Sequence, residues 1–257
     1  MAKTIAIANH KGGVGKTTTT ASMGAVLASK GYRTLLVDLD AQANLTYSLL
    51  QYEPEITIYN SLSDGEALPI KQLRENLWII PSSLDMAGLD VEIVGAISRE
   101  YILRNLLEPL AAEYDYILLD CPPSLGLLTI NALVAANEVL IPLAAEPLPY
   151  RGLSKMQELM DKTRKNLNPS LRLNGIVITR WERSNVTSMI EQALRESVGK
   201  VVYASRIRKN IAIAEASLSG TDINTYSSTS NGAEDYRNLT TEFLLRTRGA
   251  QSNTIIQ

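Results

Sequence analysis

Lys11-Gly12-Gly13-Val14-Gly15-Lys16-Thr17-Thr18 puts two lysines, three glycines and two hydroxyls into one short run. Glycines let consecutive backbone N–H groups turn inward together, as a ring of phosphate oxygens requires, and a helix beginning just afterwards adds a favourable dipole. Gly12, Gly13, Val14, Gly15 and Thr18 supply that cradle. Lys16 stands where it reaches the β- and γ-phosphates of a nucleotide, and the Thr17 hydroxyl stands where it can ligate Mg²⁺. His10 fills the position at which the general phosphate-loop pattern has its first glycine.

Two further segments end in carboxylates. Leu35-Leu36-Val37-Asp38-Leu39-Asp40 carries aspartates at alternate positions, so both face one side at the end of a strand. Phosphoryl transfer needs acids for two tasks, supporting magnesium and orienting the attacking water. Asp40 is assigned the water and Asp38 the magnesium. Tyr116-Ile117-Leu118-Leu119-Asp120 is an apolar strand delivering one aspartate, which fits a magnesium contact made through water. The neighbouring Cys121 reads as a small buried residue.

The elements that must position these groups follow from the apolar pattern. Short apolar runs recur at Thr4 to Asn9, Thr34 to Leu39, Leu77 to Pro81, Asp115 to Asp120, Glu138 to Leu143 and Leu173 to Thr179, with helix-length segments such as Thr19 to Ser29 between them. That alternation predicts an α/β fold, doubly wound, with a mostly parallel sheet and helices on both faces. The chemistry should then cluster at the C-terminal ends of the strands. Pro54 to Leu68 reads as mixed and turn-rich, and Ala233 to Arg248 as an amphipathic stretch.

At 257 residues, with 45% hydrophobic and 20% charged residues, the chain suits one large soluble domain. A single domain is expected over 1–248, with 249–257 as a flexible tail. One cysteine and one histidine rule out an internal disulfide and argue against a protein-only zinc or iron–sulfur site. The N-terminus reads as a strand, not a leader, and no run approaches the ~20 apolar residues of a membrane span. A cytoplasmic setting is expected.

All the fixed positions of K-G-G-x-G-K-[ST] are present, and here the chain resembles the deviant Walker A ATPases of the P-loop NTPase fold. The resemblance implies ATP and Mg²⁺ as ligands and a homodimer when ATP is bound. It also implies that Lys11 reaches the nucleotide of the other subunit, so that Lys11, Lys16 and Asp40 form the catalytic set. Val37 to Asn44, Ile80 to Gly88, Ile97 to Glu100 and Asp120 to Leu133 are similar to the ParA partition ATPases, as are Glu146-Pro147, Arg151-Gly152-Leu153, Asn210 to Ala216 and Gly232 through Tyr236. The match covers roughly residues 3 to 245. It adds Thr179, Arg180 and Asn210 as nucleotide contacts, non-specific double-stranded DNA and a ParB-like stimulating protein as partners, and a nucleoid-associated location. Since the chain begins at the first strand, operator-specific repression through an N-terminal extension is not expected.

DNA binding without sequence preference needs cations that replace phosphate counterions. Arg180 to Lys209 holds seven basic residues against three acidic ones in a chain of net charge −2. Arg183, Arg206, Arg208 and Lys209 are the candidates. The family pattern Ile-Pro-Arg-Asn-Val-Arg reads Ile207-Arg208-Lys209-Asn210-Ile211-Ala212 here, so a DNA-contacting arginine of relatives is alanine. Either Arg208 and Lys209 compensate, or the stretch is a solvated face. Two alternatives share the motifs: a ParA-like ATPase that positions a protein cargo, and a MinD-like membrane-associated ATPase, which would need a more apolar C-terminal helix. A reductase of the nitrogenase iron protein type would need more than Cys121.

Overall fold

The computed structural model describes residues 1–146 and 150–252. Eight strands form one sheet: β1 (Lys3–Ile7), β2 (Thr34–Asp38), β3 (Lys71–Arg74), β4 (Leu77–Ile80), β5 (Tyr116–Asp120), β6 (Glu138–Ala144), β7 (Arg172–Trp181) and β8 (Val202–Arg208). Their order is β3-β4-β2-β5-β1-β6-β7-β8, and every pairing is parallel except β3 with β4. The helices are α1 (Lys16–Ser29), α2 (Asn44–Leu50), α3 (Ile58–Ser63), α4 (Met86–Glu92), α5 (Ile102–Leu107), α6 (Leu127–Ala135), α7 (Tyr150–Asn166), α8 (Asn185–Val198), α9 (Ile211–Leu218), α10 (Ile223–Tyr226) and α11 (Asn231–Ser252).

The continuous apolar runs are explained by burial on both faces. Ile5, Ile7, Leu36, Leu118, Leu140 and Val177 pack with residues of α1, α2, α9, α10 and α11. Their neighbours Ala6, Leu35, Val37, Ile117, Leu119, Val139 and Ile176 point to the other face, under α3 to α8. One alternating set of strand side chains therefore builds two cores, and the strand ends stay in register: Asp38 lies beside Asp120, and Ile7 beside Asp120 on the other side.

Within the mixed, turn-rich segment 54–68, Thr57 accepts from the Tyr59 N–H, the Asn60 side chain answers the Thr57 N–H, and this capping box starts α3. The basic stretch from Arg180 is not one surface. It is divided between the end of β7, α8 and the edge strand β8, whose mixed Val-Tyr-Ala-Ser-Arg-Ile-Arg pattern hides a half-buried strand. Finally, α11 continues through Ser252 into the expected tail, whose last five residues, like Pro147, lie outside the described residues.

Along β8, α11 supplies the missing partners. Glu242 accepts from the Ala204 and Ser205 N–H groups at 2.9 and 2.8 Å, and Asp235 accepts from the Arg208 N–H at 2.8 Å. Among the described residues no helix is long and apolar enough to cross a membrane.

Candidate functional site

The phosphate loop runs from the end of β1 to the start of α1. Gly13 (φ 73°) and Gly15 (φ 86°) both adopt left-handed backbone, which a side chain would strain, and around Gly12 and Gly13 an added Cβ would meet nothing within 4 Å. The loop is clamped from below: Thr179, 1% exposed, donates its hydroxyl to the Val14 carbonyl at 2.8 Å, and its methyl group lies under Gly15. Thr179, expected as a nucleotide contact, thus supports the loop through its hydroxyl. His10 Nδ1 lies 3.3 Å from the Pro123 carbonyl, tying the loop to the segment after β5.

Lys16 is 6% exposed, yet its ammonium makes one hydrogen bond, 3.4 Å to the Lys11 carbonyl, and no ion pair among the described residues. A buried cation left this way is costly unless an anion arrives. Asp120 shows the converse. It is 1% exposed, its Oδ1 takes a 3.4 Å bond from Thr20, and its Oδ2 is buried without a partner. Burial, with Asp38 alongside, pushes its carboxyl well above the ordinary range, while Thr17 and Lys16 oppose the shift. A cation beside Asp120 would restore its ionised form. An ammonium without an ion pair and a buried carboxylate oxygen without a partner, flanking a glycine cradle, fit a nucleotide carrying a divalent cation, with Thr17 and Asp120 as the residues to hold the metal.

Asp38, the second aspartate assigned to magnesium, is bonded to the loop that follows it. Its Oδ1 accepts from the Asp40 N–H at 3.1 Å, and its Oδ2 from the Thr46 N–H and hydroxyl at 2.9 and 2.8 Å. Burial pushes this carboxyl up to about 6 against the pull of those bonds. Both oxygens are committed to the loop after β2, so Asp38 holds that loop and through it Asp40. Asp40 is half-buried at the loop's start, and its Oδ1 accepts from the Gln42 N–H. Cys121 is fully buried, and its thiol is pushed up by that burial, as expected of a packing residue.

Lys11 stands at the rim with its side chain 53% exposed, where it pairs with Glu146; Arg180 pairs with the other oxygen of the same carboxylate at 3.1 Å. The Lys11 hydrogen bond holds the Glu146 carboxyl below its ordinary range. Arg180 itself has left-handed backbone (φ 52°). Asn210 caps α9, accepting from the Ala212 N–H at 2.9 Å, and that helix lies beside the start of α1, where Ile213 and Ala216 share a narrow cavity with Thr17, Thr18 and Ala21.

The expected DNA residues do not form one free cationic patch. Arg206 stacks over Trp181 at 3.7 Å and pairs with Glu191 at 3.0 Å. Arg208 is held by Asp235 at 2.7 Å and Glu234 at 2.8 Å, which raises its already high pKa further. Lys209 pairs with Glu182 at 2.7 Å, although both are exposed. The acids that hold Arg208 lie outside the stretch in which charge was counted, whereas Arg206 and Lys209 pair with acids inside it. Arg183 is exposed after β7. Sequence reasoning also missed Glu146, Thr46 and Ser82 as parts of the site.

A family model described as an AAA domain matches residues 2–173. The chromosome partitioning protein ParA of Myxococcus xanthus is 42% identical over 250 residues, covering 94% of this chain and 88% of that protein. The sporulation initiation inhibitor protein Soj of Bacillus subtilis is 41% identical over 248 residues, with 94% and 98% covered. Among solved structures, the cobyrinic acid a,c-diamide synthase of Mycobacterium smegmatis with bound ADP and magnesium matches at a TM-score of 0.85 and 31% identity over 97% of each chain. The septum site-determining protein MinD of Pyrococcus horikoshii, complexed with Mg-ADP, matches at 0.80 and 27% over 94% of this chain and 96% of that one.

Proposed function

Since this chain belongs to the ParA/Soj family of partitioning ATPases, we propose that it is an ATP-dependent dimerising switch whose hydrolysis cycle positions or segregates DNA. The buried, unpaired Lys16 ammonium carries the reading of the site, since it calls for a polyanion at the glycine cradle.

In this reading Gly12 to Thr18 and Lys16 hold the triphosphate of ATP, while Thr17 and Asp120 hold Mg²⁺, with Asp38 bracing the loop beside them. The metal supplies charge neutralisation at the β- and γ-phosphate oxygens. Asp40 orients the water that attacks the terminal phosphate, and Asn210 and Arg180 flank the nucleotide from the loops after β8 and β7. Lys11 leaves Glu146 and crosses to the nucleotide of a second copy. The Lys11–Glu146 pair is about half exposed, and exposed pairs are worth at most ~1 kcal/mol, so its exchange for a phosphate is cheap. Non-specific double-stranded DNA and a ParB-like partner that speeds hydrolysis complete the cycle, on the nucleoid in the cytoplasm.

DNA binding should require ATP and weaken steeply with salt, losing about 0.9 in log–log slope for each phosphate contact removed. Arg183→Ala is expected to flatten the slope by about that one contact. Arg208→Ala should lower the melting temperature instead, by about 5 °C, because Asp235 then loses its main cationic partner. Filter binding from 50 to 300 mM salt, a range over which phosphate contacts are strongly weakened (roughly, by log-linear counterion release), with ATP and with ADP, together with thermal melts, checks both. ATP-independent or salt-insensitive binding would count against the DNA reading. The engagement of Arg206, Arg208 and Lys209 in ion pairs, with alanine at 212, favours one second reading, in which the same switch positions a protein cargo.

A further inference from the structure

The loop that carries Asp40 is closed by a ring of buried and half-buried hydrogen bonds that no phosphate-loop motif includes. It starts at the Asp38 carboxylate, which accepts from the N–H groups at both ends of the loop, Asp40 at 3.1 Å and Thr46 at 2.9 Å. The Thr46 hydroxyl donates to Asp38 Oδ2 at 2.8 Å and accepts from the Ser82 N–H at 2.9 Å. The Ser82 hydroxyl then returns to the Asp40 carbonyl at 2.8 Å, which also accepts from the Ala43 N–H at 2.8 Å. Thr46 is 0% exposed and Ser82 1% exposed, so water has little access to the bonds between them and Asp38.

The ring fixes Asp40 by both of its backbone polar groups. It also holds a strained turn, since Ala43 is fully buried in left-handed backbone with φ 48°. The polar groups of both residues are taken up within the ring: Thr46 lies in α2 with its hydroxyl between Asp38 and Ser82, and Ser82 follows β4, a strand that pairs with β2 through Val37 and Ile80. What they can do is set where the Asp40 carboxylate stands. A water-orienting group misplaced by about 1 Å can cost on the order of 100-fold in rate.

We infer that Ser82 and Thr46 are positioning residues for hydrolysis, acting through Asp40 and leaving ATP binding to the phosphate loop. The inference rests on Asp40 as the water-orienting carboxylate. Ser82→Ala is the principal test, because the Asp40 carbonyl keeps its bond from Ala43 and the loop keeps both Asp38 anchors. Maximal turnover should fall about 10-fold to 100-fold, as for loss of other supporting hydrogen bonds, while ATP affinity by calorimetry stays within about 2-fold. Thr46→Val, which keeps the shape and removes the hydroxyl, should follow it; Thr46→Ser, which restores the hydroxyl, should turn over like the parent.

The decisive arm is the Asp40→Ala background, in which Ser82→Ala should cause no further loss of turnover in long phosphate-release assays. Parental turnover in Ser82→Ala, or an equal fractional loss with and without Asp40, overturns the inference. So does a Thr46→Ser variant as slow as Thr46→Val. If Asp40→Ala itself hydrolyses normally, the assigned role of Asp40 fails and the inference with it. A slow Asp40→Ala beside a fast Ser82→Ala removes the inference alone.

Discussion

Lys16→Ala is expected to lower ATP affinity on the order of 100-fold or more. In the parent the ammonium is buried at the foot of the glycine loop with one long hydrogen bond and no ion pair among the described residues, so its charge is available to the incoming phosphates. Charge-assisted hydrogen bonds in such a place contribute roughly 1.5–3 kcal/mol each, and the loss of two corresponds to about 100-fold or beyond. The fold should survive, because alanine suits a helix start and removes an uncompensated buried charge. Calorimetry with ATP and magnesium, beside a thermal melt, gives the answer. Parental affinity in a folded variant would refute the site.

The second large effect separates two steps that share one composite site. Asp40→Ala removes the carboxylate assigned to the attacking water but leaves the cradle of Gly12 to Thr17, the clamp from Thr179 and the Asp38 anchors in place. ATP should bind, the dimer should persist, and turnover should fall on the order of 1,000-fold, the range for removal of a group acting on the nucleophile. Lys11→Ala should act differently. With the rim ammonium gone, the phosphates of two facing nucleotides are less compensated, so ATP-dependent dimerisation and hydrolysis should weaken together while Lys16 still holds ATP in the monomer. Light scattering with ATP and with ADP, run beside phosphate release, distinguishes the two. An Asp40 variant that stays monomeric in ATP, or a Lys11 variant that hydrolyses at the parental rate, would overturn the roles.

How far these roles could be read from sequence depended on how local the contacts are. The cradle is a single run of eight residues, and its glycine, lysine and threonine types announce its chemistry before any fold is known. Asp38 and Asp120 were legible because each ends an apolar strand, and Asp40 because it stands two residues beyond one; the parallel register then sets Asp38 beside Asp120. Ser82 was not, since its bond to Asp40 spans 42 residues and exists only because β4 pairs with β2. Glu146 likewise meets Lys11 across 135 residues. The basic stretch misled for the same reason. Counting charge along the chain found Arg208, but its acids come from α11, 26 and 27 residues further on.

The carboxylates that α11 lays along β8 have a bearing on assembly. A sheet edge with open amides is a template on which another chain can add a strand, and proteins that form nucleotide-dependent assemblies at high local concentration are exposed to that hazard. Here the amides of Ala204, Ser205 and Arg208 are already taken by Glu242 and Asp235, and the bonding groups are anionic, which repels an approaching backbone carbonyl. The opposite edge is the four-residue β3, with Lys71 and Arg74 in its sequence. Growth of the sheet from subunit to subunit is thereby discouraged at both edges, which fits the proposed association of copies through the loops at the strand ends, made and unmade without fusing one sheet to the next.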